Sequence, residues 1–470
     1  MTSTPLNKFL HRLTTVPHPV VLLFIIIIIA TLMSHFLPAG SFDRVEVDGR
    51  QRVIPGSYHT ITPTPLSFLE MFTAMPKGFE AAISIIFIVL SSGIMFGVLE
   101  KSGMIENAVG TFVHKLGEDR RNFIVVMLTF LYGMLGVMIG YENNIALVPI
   151  AAVAVLAIGG DVMLAAAIAV GGVTVGFGLS PINPYTVGTG HKIAEMPLFS
   201  GALLRSALCF GGLSILAFFN LRYYKRILKD KAVSLVPDVS TDGLALTHPL
   251  DHYRMTPNNW VILAIFVGGL AIMLFGLFEY HWYIDEISAI FIMIAIAAGL
   301  AAGMSGTIIS DTALKSVAVV APGAFMVGLA TTIKVILEQG GIGDTIAFFL
   351  SEMLKDLPLY ASAVGMSAAQ CVINFMIPSG SGQALATLPI MIPLGDVIGL
   401  TRQTTILAFQ IGDGVTNLFN PTLGGLIAML SLCRVPFDRW LRFIMPVVGI
   451  IIILAWLFLI FSVFIEWGPA

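Results

Sequence analysis

Charged residues are scarce: they make up 11% of the 470-residue sequence, against 57% hydrophobic residues, where soluble domains run near 25% charged. With a mean hydropathy of +0.91 over the whole length, the apolar excess is too general to hide in one buried core, so the solvent is lipid. A net charge of −3 excludes nucleic acid as a partner, because phosphate binding needs a basic surface. The three cysteines, Cys209, Cys371 and Cys433, sit in apolar or membrane-edge sequence without metal-ligand spacing, which argues against a disulfide framework or zinc site. Also missing are the motifs G-x-x-x-x-G-K-S/T and H-E-x-x-H and a G-x-S-x-G setting with a partnered His. A nucleotide-driven pump within this chain and an intramembrane enzyme are thereby disfavoured, and no catalytic residue or cofactor is expected.

What the sequence has is apolar runs. Lys8 and Arg12 precede one from Val20 to Leu37, whose 18 residues exceed a signal-peptide core of about 7–15, so it reads as a retained first helix. Further stretches of spanning length fall at 79–99, 200–221, 258–279, 284–303, 317–337 and 440–465. Two others, 161–195 and 402–433, are too long for one span and carry polar breaks, at Ser180-Pro181-Ile182-Asn183-Pro184 and from Gly412 to Asn417 and on to Asn420-Pro421; Pro and Gly weaken helical bonding there. The stretches 122–160 and 359–395 have polar, Gly-rich centres, Gly140-Tyr141-Glu142-Asn143-Asn144 and Pro378-Ser379-Gly380-Ser381-Gly382-Gln383, and read as hairpins with tips inside the membrane. The expected fold is an all-α polytopic membrane protein with two re-entrant hairpins and two broken helices.

Basic residues orient it, since cytoplasmic loops are enriched in Lys and Arg. With the N-terminus inside and both hairpins returning to their own side, 16 of the 25 basic residues fall inside, eight outside, and Lys334 within a helix. This gives nine full spans, with the N-terminus on the cytoplasmic side and the C-terminus on the other. Four landmark pairs then repeat at a nearly constant offset: Leu99–Gly103 with Leu337–Gly341 at 238, Pro149 with Pro389 at 240, Asn183 with Asn420 at 237, Pro197 with Pro436 at 239. The halves, 1–235 and 284–470, run in opposite orientations around a connecting segment, 236–283, that holds the helix at 258–279. Inverted repeats with broken helices are how many secondary transporters build a midplane site.

Backbone freed at tips and breaks has no partner in lipid, so the four interruptions are expected to meet around a ligand-lined cavity. Half-helix N-termini suit a carboxylate, and unwound carbonyls suit a cation. The expected substrate-binding residues are Glu142, Asn143, Asn144, Asn183, Ser379, Gly380, Ser381, Gly382, Gln383, Asn417 and Asn420. Glu142 and Asp413 are acids at membrane depth and candidates for ion coupling. Asp413, among free carbonyls, is placed to ligate sodium, to carry a proton, or to cap a helix; Glu142 could instead sit in an internal pair or as a neutral acid. Lys334 either snorkels towards Glu338 or points inward to an anion. Asp161 and Asp396 are expected as helix caps, and His191 and Lys192 near headgroups or water.

The segments Pro378-Ser379-Gly380-Ser381-Gly382-Gln383-Ala384, Phe409-Gln410-Ile411-Gly412-Asp413-Gly414, Asn420-Pro421 and Cys433-Arg434-Val435, with Asn183-Pro184 in the first half, resemble the YfcC family of bacterial inner-membrane carriers. The resemblance covers nearly the whole chain. It relates the chain to ArcD-type arginine–ornithine antiporters and DcuC-type C4-dicarboxylate carriers in the ion transporter superfamily. It implies a homodimeric elevator: outer helices as a scaffold, with hairpins and broken helices as a mobile transport domain. Two departures bear on substrate. Related carriers commonly place two acids at the first hairpin tip, where this chain has Glu142 followed by Asn143, and a basic residue near Thr331-Thr332, which here moves to Lys334. The lost acid weakens a dibasic amino acid and favours a neutral or monoanionic solute with one carboxylate. The expected function is secondary active transport of an amino acid or organic acid, driven by sodium, protons or exchange; a C4-dicarboxylate carrier is the alternative, and a channel a weaker one.

Overall fold

The computed structural model describes residues 19–47, 50–54, 56–116, 120–244, 248, 252–280, 282, 284–354 and 357–468. Lys8 and Arg12 lie outside them. Helix starts follow caps that hydropathy does not register. The stretch expected at 317–337 belongs to a 34-residue helix, α12 (Gly306–Gln339), begun by the Ser305 hydroxyl accepting from the Ile308 amide. The stretch expected at 79–99 is α3 (Ile83–Lys101), preceded by α2 (Phe68–Ala81), which a reciprocal Ser67–Glu70 capping box starts. With α1 (Pro19–Phe36), α4 (Met104–Leu116), α10 (Pro257–Glu279) and α11 (Ile284–Ala301) these helices form one layer. In it α3 packs on α12, α1 and α2 on α12, and α11 on α3, with α10 behind α11.

The second layer is built on α7 (Val162–Gly178) and α16 (Arg402–Thr416). On α7 pack α5 (Arg121–Ile139) and α6 (Val148–Ala157); on α16 pack α14 (Leu359–Asn374) and α15 (Gly380–Ile398). After each central helix the chain unwinds and resumes, as α8 (Thr189–Ile193) behind a five-residue π turn at Pro184–Gly188, and as α17 (Gly424–Leu432). The long helices α9 (Ala202–Lys229) and α18 (Phe437–Phe464) close the outside. The layers meet where α17 lies on α12 and the first tip lies on α3.

Among the described residues eight helices are long and apolar enough to cross a membrane. Leu203, Phe210 and Phe218 on α9 and Ile453 and Leu457 on α18 are exposed, a surface stable only against lipid. This is a multi-pass membrane protein. The expected hairpin arms α5 and α15 are 19 residues each, so length alone does not separate re-entrance from spanning.

The all-α expectation needs one correction. Residues 40–60 form two antiparallel pairs, β1 (Gly40–Ser41) with β4 (His59–Thr60) and β2 (Arg44–Val47) with β3 (Arg50–Val53). The flap is fastened to α13 (Gly343–Glu352). Arg44 Nη2 donates to both Asp344 oxygens at 2.7 Å, the Phe42 amide donates to Asp344 at 3.0 Å, and Tyr58 stacks on Phe348 at 4.1 Å. β3 rests on α15.

Candidate functional site

The two central helices touch through glycine. A Cβ on Gly178 would lie 2.6 Å from Gly414 Cα, and one on Gly414 would lie 2.4 Å from Gly178 Cα, so the backbones are in contact and no side chain fits. Gly414→Ala is therefore expected to force the helices apart, costing about 1–3 kcal/mol or more and lowering the melting temperature of the detergent-solubilised protein.

Both helices unwind just past this crossing, and side chains replace the lost backbone bonds. Asn183 Oδ1 accepts from the Tyr185 and Thr186 amides at 2.8 and 3.3 Å while its Nδ2 donates to Phe177 O at 3.1 Å. In the second break Asn374 Nδ2 donates to Asp413 O (2.9 Å) and Asn417 Oδ1 (2.8 Å), and Asn420 Nδ2 donates to Asn374 O (2.9 Å). Asn183, Asn417 and Asn420, expected as substrate ligands, thus brace the breaks. The second break includes Asn417, Asn420 and Pro421 as expected but starts later. Gly412, Asp413 and Gly414 are helical, and the unwound stretch runs from Asn417 to Leu423. Asp413 consequently sits in the last turn of α16 rather than among free carbonyls, where its charge opposes the helix dipole and it caps nothing.

The second tip is likewise tighter than expected. Ser379 caps α15 by accepting from the Gly382 amide at 3.3 Å, so Gly380, Ser381, Gly382 and Gln383 form the helix's first turn. Gly380 is the residue around which the site converges. A Cβ there would lie 2.6 Å from Thr186 Cγ2, 3.5 Å from Asp413 Oδ2 and 3.9 Å from the Phe177 ring. The first tip approaches from the other side. Glu142, Asn143 and Asn144 open a 3-10 turn, Glu142–Leu147, and a Cβ on Gly425 of α17 would lie 2.8 Å from the Tyr141 ring and 3.8 Å from Glu142 Cγ. Tyr141 packs edge-on against Phe177 at 5.6 Å. Phe177 is therefore the bridge between tips that reach the centre through different neighbours. Asn144 Nδ2 is spent on the Leu135 and Gly140 carbonyls.

The polar atoms left over around Gly380 are oxygens. Asp413 Oδ1 and Oδ2, Thr186 Oγ1, Asn374 Oδ1 and Gln383 Oε1 are buried without a hydrogen-bond partner. The amide orientations are forced, because Asn374 Nδ2 faces two acceptors and Gln383 Nε2 donates to Gln370 O at 2.9 Å and Gln370 Oε1 at 2.7 Å. A buried carboxylate with both oxygens unpaired is costly. A proton, a hard cation with oxygen ligands, or a donor group on a solute removes that cost. Among the described residues no three His, Cys, Asp or Glu side chains cluster as a metal site, so such a cation would rely on hydroxyl and amide oxygens beside the one acid.

Lys334 lies elsewhere. It pairs with Glu338 at 3.6 Å and lines a separate cleft of about 490 Å³ that shares Gly382 with the tip. Asp161 caps α7 as expected, accepting from the Leu164 amide at 2.8 Å, but Asp396 pairs with Arg402 at 3.0 Å. His191, expected near headgroups, is fully buried, accepts from the Phe199 amide and contacts Gln403 at 3.3 Å.

Sequence reasoning missed Thr186, Phe177 and Arg205. Arg205, one of the eight cations assigned outside, is fully buried. It donates from Nε to Gln410 at 3.0 Å and from Nη1 to Ser200 O at 3.0 Å, and lies 4.7 Å over Trp467. Gln410 in turn donates to Ser180 O at 2.7 Å in the first break. The signal was a cation inside a predicted span.

Residues 16–464 match the family model of DcuC, described as the C4-dicarboxylate anaerobic carrier. The chain is 27% identical to an Escherichia coli K12 protein provisionally assigned as the basic amino acid antiporter YfcC, over 94% of this chain and 96% of that one. Two solved structures are similar at low superposition. One is Neisseria gonorrhoeae MtrF, reported with a class of antimetabolite efflux pumps (19% identity, 97% of each chain, TM-score 0.44). The other is the Alcanivorax borkumensis YdaH transporter (17% identity, 96% of this chain and 100% of that one, TM-score 0.45).

Proposed function

We propose, from the premise that this chain belongs to the DcuC family of C4-dicarboxylate carriers, that it is a secondary active transporter of a small carboxylate-bearing solute, an amino acid or organic acid. The family is one of membrane transporters, so the enzyme class falls away. The transported solute meets the Gly380 turn, and Asp413 takes the coupling sodium ion or proton. The observation that carries this reading is the buried Asp413 carboxylate, both oxygens unpaired, beside a helix N-terminus at Gly380 that also abuts the Thr186 methyl group. The acid attracts a cation while the α15 amides attract a carboxylate. A cation and an anion bound side by side relieve each other's burial cost.

Transport then proceeds by an elevator motion of an inverted repeat, in a homodimer in the bacterial inner membrane. Exchanged packing supports the repeat: α1 lies on the second half's long helix, α12, and α11 on the first half's, α3. That pairing leaves α10 as the connecting helix between the halves 1–235 and 284–470. On this topology an impermeant thiol reagent added to intact cells labels cysteine at Asp43 and Glu466 and spares Lys225→Cys; labelling at 225 overturns the orientation.

A thermal-shift screen of amino acids and mono- and dicarboxylates, with and without sodium, tests the function, since a ligand of the folded state raises its melting temperature. One class of carboxylate-bearing solute raising it supports the reading. Stabilisation confined to C4-dicarboxylates selects the alternative named by the family, and stabilisation by none overturns the function.

A further inference from the structure

The cleft that holds Lys334 has a charge pattern the hairpin site lacks. One wall is the end of α12, with Lys334 and Glu338 a helical turn apart; the other is the Arg44–Asp344 pair of the flap and α13; Gly382 and Ala386 of α15 complete it. The two pairs differ in how free they are. Asp344 is held by two Arg44 hydrogen bonds at 2.7 Å and by the Phe42 amide, and its side chain is 15% exposed. Lys334 and Glu338 are 43% and 64% exposed, and their 3.6 Å separation is longer than a hydrogen bond. Such an exposed pair is weak, so a ligand separates it at little cost.

The geometry points to this cleft as a loading subsite for zwitterionic amino acids, with Lys334 taking the carboxylate and Glu338 the ammonium of the solute before it moves to the Gly380 turn. Its charges sum to zero, two cations against two carboxylates. With Arg44 and Asp344 engaged with each other, a dicarboxylate held by Lys334 sets its second carboxylate against Glu338, and a dibasic amino acid held by Glu338 sets its second cation against Lys334. A solute carrying one charge of each sign fits Lys334 and Glu338, whose backbone positions lie about 6 Å apart along one turn and whose charged ends stand 3.6 Å apart. Gly382 places the cleft within a turn of Gly380, so loading and binding positions are contiguous. This deepens the transport reading and rests on it.

The test is competition for uptake into vesicles of purified full-length protein by three probes: a zwitterionic amino acid, a dibasic amino acid and a C4-dicarboxylate. Lys334→Glu is expected to shift preference from the zwitterionic to the dibasic probe by about tenfold, and Glu338→Lys to shift it toward the dicarboxylate by a similar factor. The double variant Lys334→Glu with Glu338→Lys, which restores one charge of each sign, is expected to recover the parent order. A structural role for the pair would lower uptake of all three probes together. Equal losses, or a double variant that fails to recover the parent order, overturns the subsite while leaving the transport reading in place. A parent that takes up none of the probes overturns the transport reading, and the subsite with it.

Discussion

Gly380→Val is expected to reduce uptake to the level of empty vesicles while the protein still inserts and folds. The position has no spare volume on the side that matters: even the first carbon of a side chain meets Thr186 Cγ2 at 2.6 Å and approaches Asp413 Oδ2 to 3.5 Å. Valine adds two methyl groups to that overlap, so the α15 turn withdraws from Asp413 and the gap is filled with hydrocarbon. A local repacking cost of about 1–3 kcal/mol is spread over a large membrane core, whereas the loss of the anion-binding amides is complete. Gly449 in α18, with open space where a Cβ would go, supplies the control, and Gly449→Val should transport normally. Uptake retained by Gly380→Val removes this turn from the transport site.

Asp413→Asn is expected to separate ion from solute. On the proposed reading a cation at Asp413 neutralises the carboxylate whose two oxygens are unpaired, so ion and solute each raise the other's affinity by the same factor, typically about 5–150-fold. The amide keeps the shape and removes the charge. If sodium is the ion, the solute affinity of the variant no longer rises with sodium at fixed pH; if the ion is a proton, it no longer follows pH at fixed sodium. A variant with the parent's full ion dependence moves the coupling role to Glu142.

The helical organisation was legible because a lipid solvent leaves long apolar runs no other structure. What was misplaced follows from the same physics. Gly412 and Gly414 read as breakers on a water scale, where glycine costs about 1 kcal/mol, yet in lipid the helix persists through them to Thr416 because every backbone bond kept is worth more there. It unwinds where Asn374, Asn417 and Asn420 supply replacement partners. Ser379, read as a ligand, is first a cap. Thr186 and Phe177 enter the site only through the crossing at Gly178 and Gly414, a contact between residues far apart in sequence. The flap at 40–60 escaped because strands of two to four residues are too short for alternation to register. Asp413 was visible as an acid between apolar runs, and Gly380 as part of the polar, Gly-rich segment Ser379–Gln383.

Solute accumulation by purified protein in sealed vesicles, under an imposed sodium or proton gradient, tests alternating-access carriage most directly. The expected result is saturable uptake that rises above the outside concentration and collapses when the gradient is dissipated. Flux that stays linear in solute concentration and only equilibrates, whatever the gradient, would contradict it.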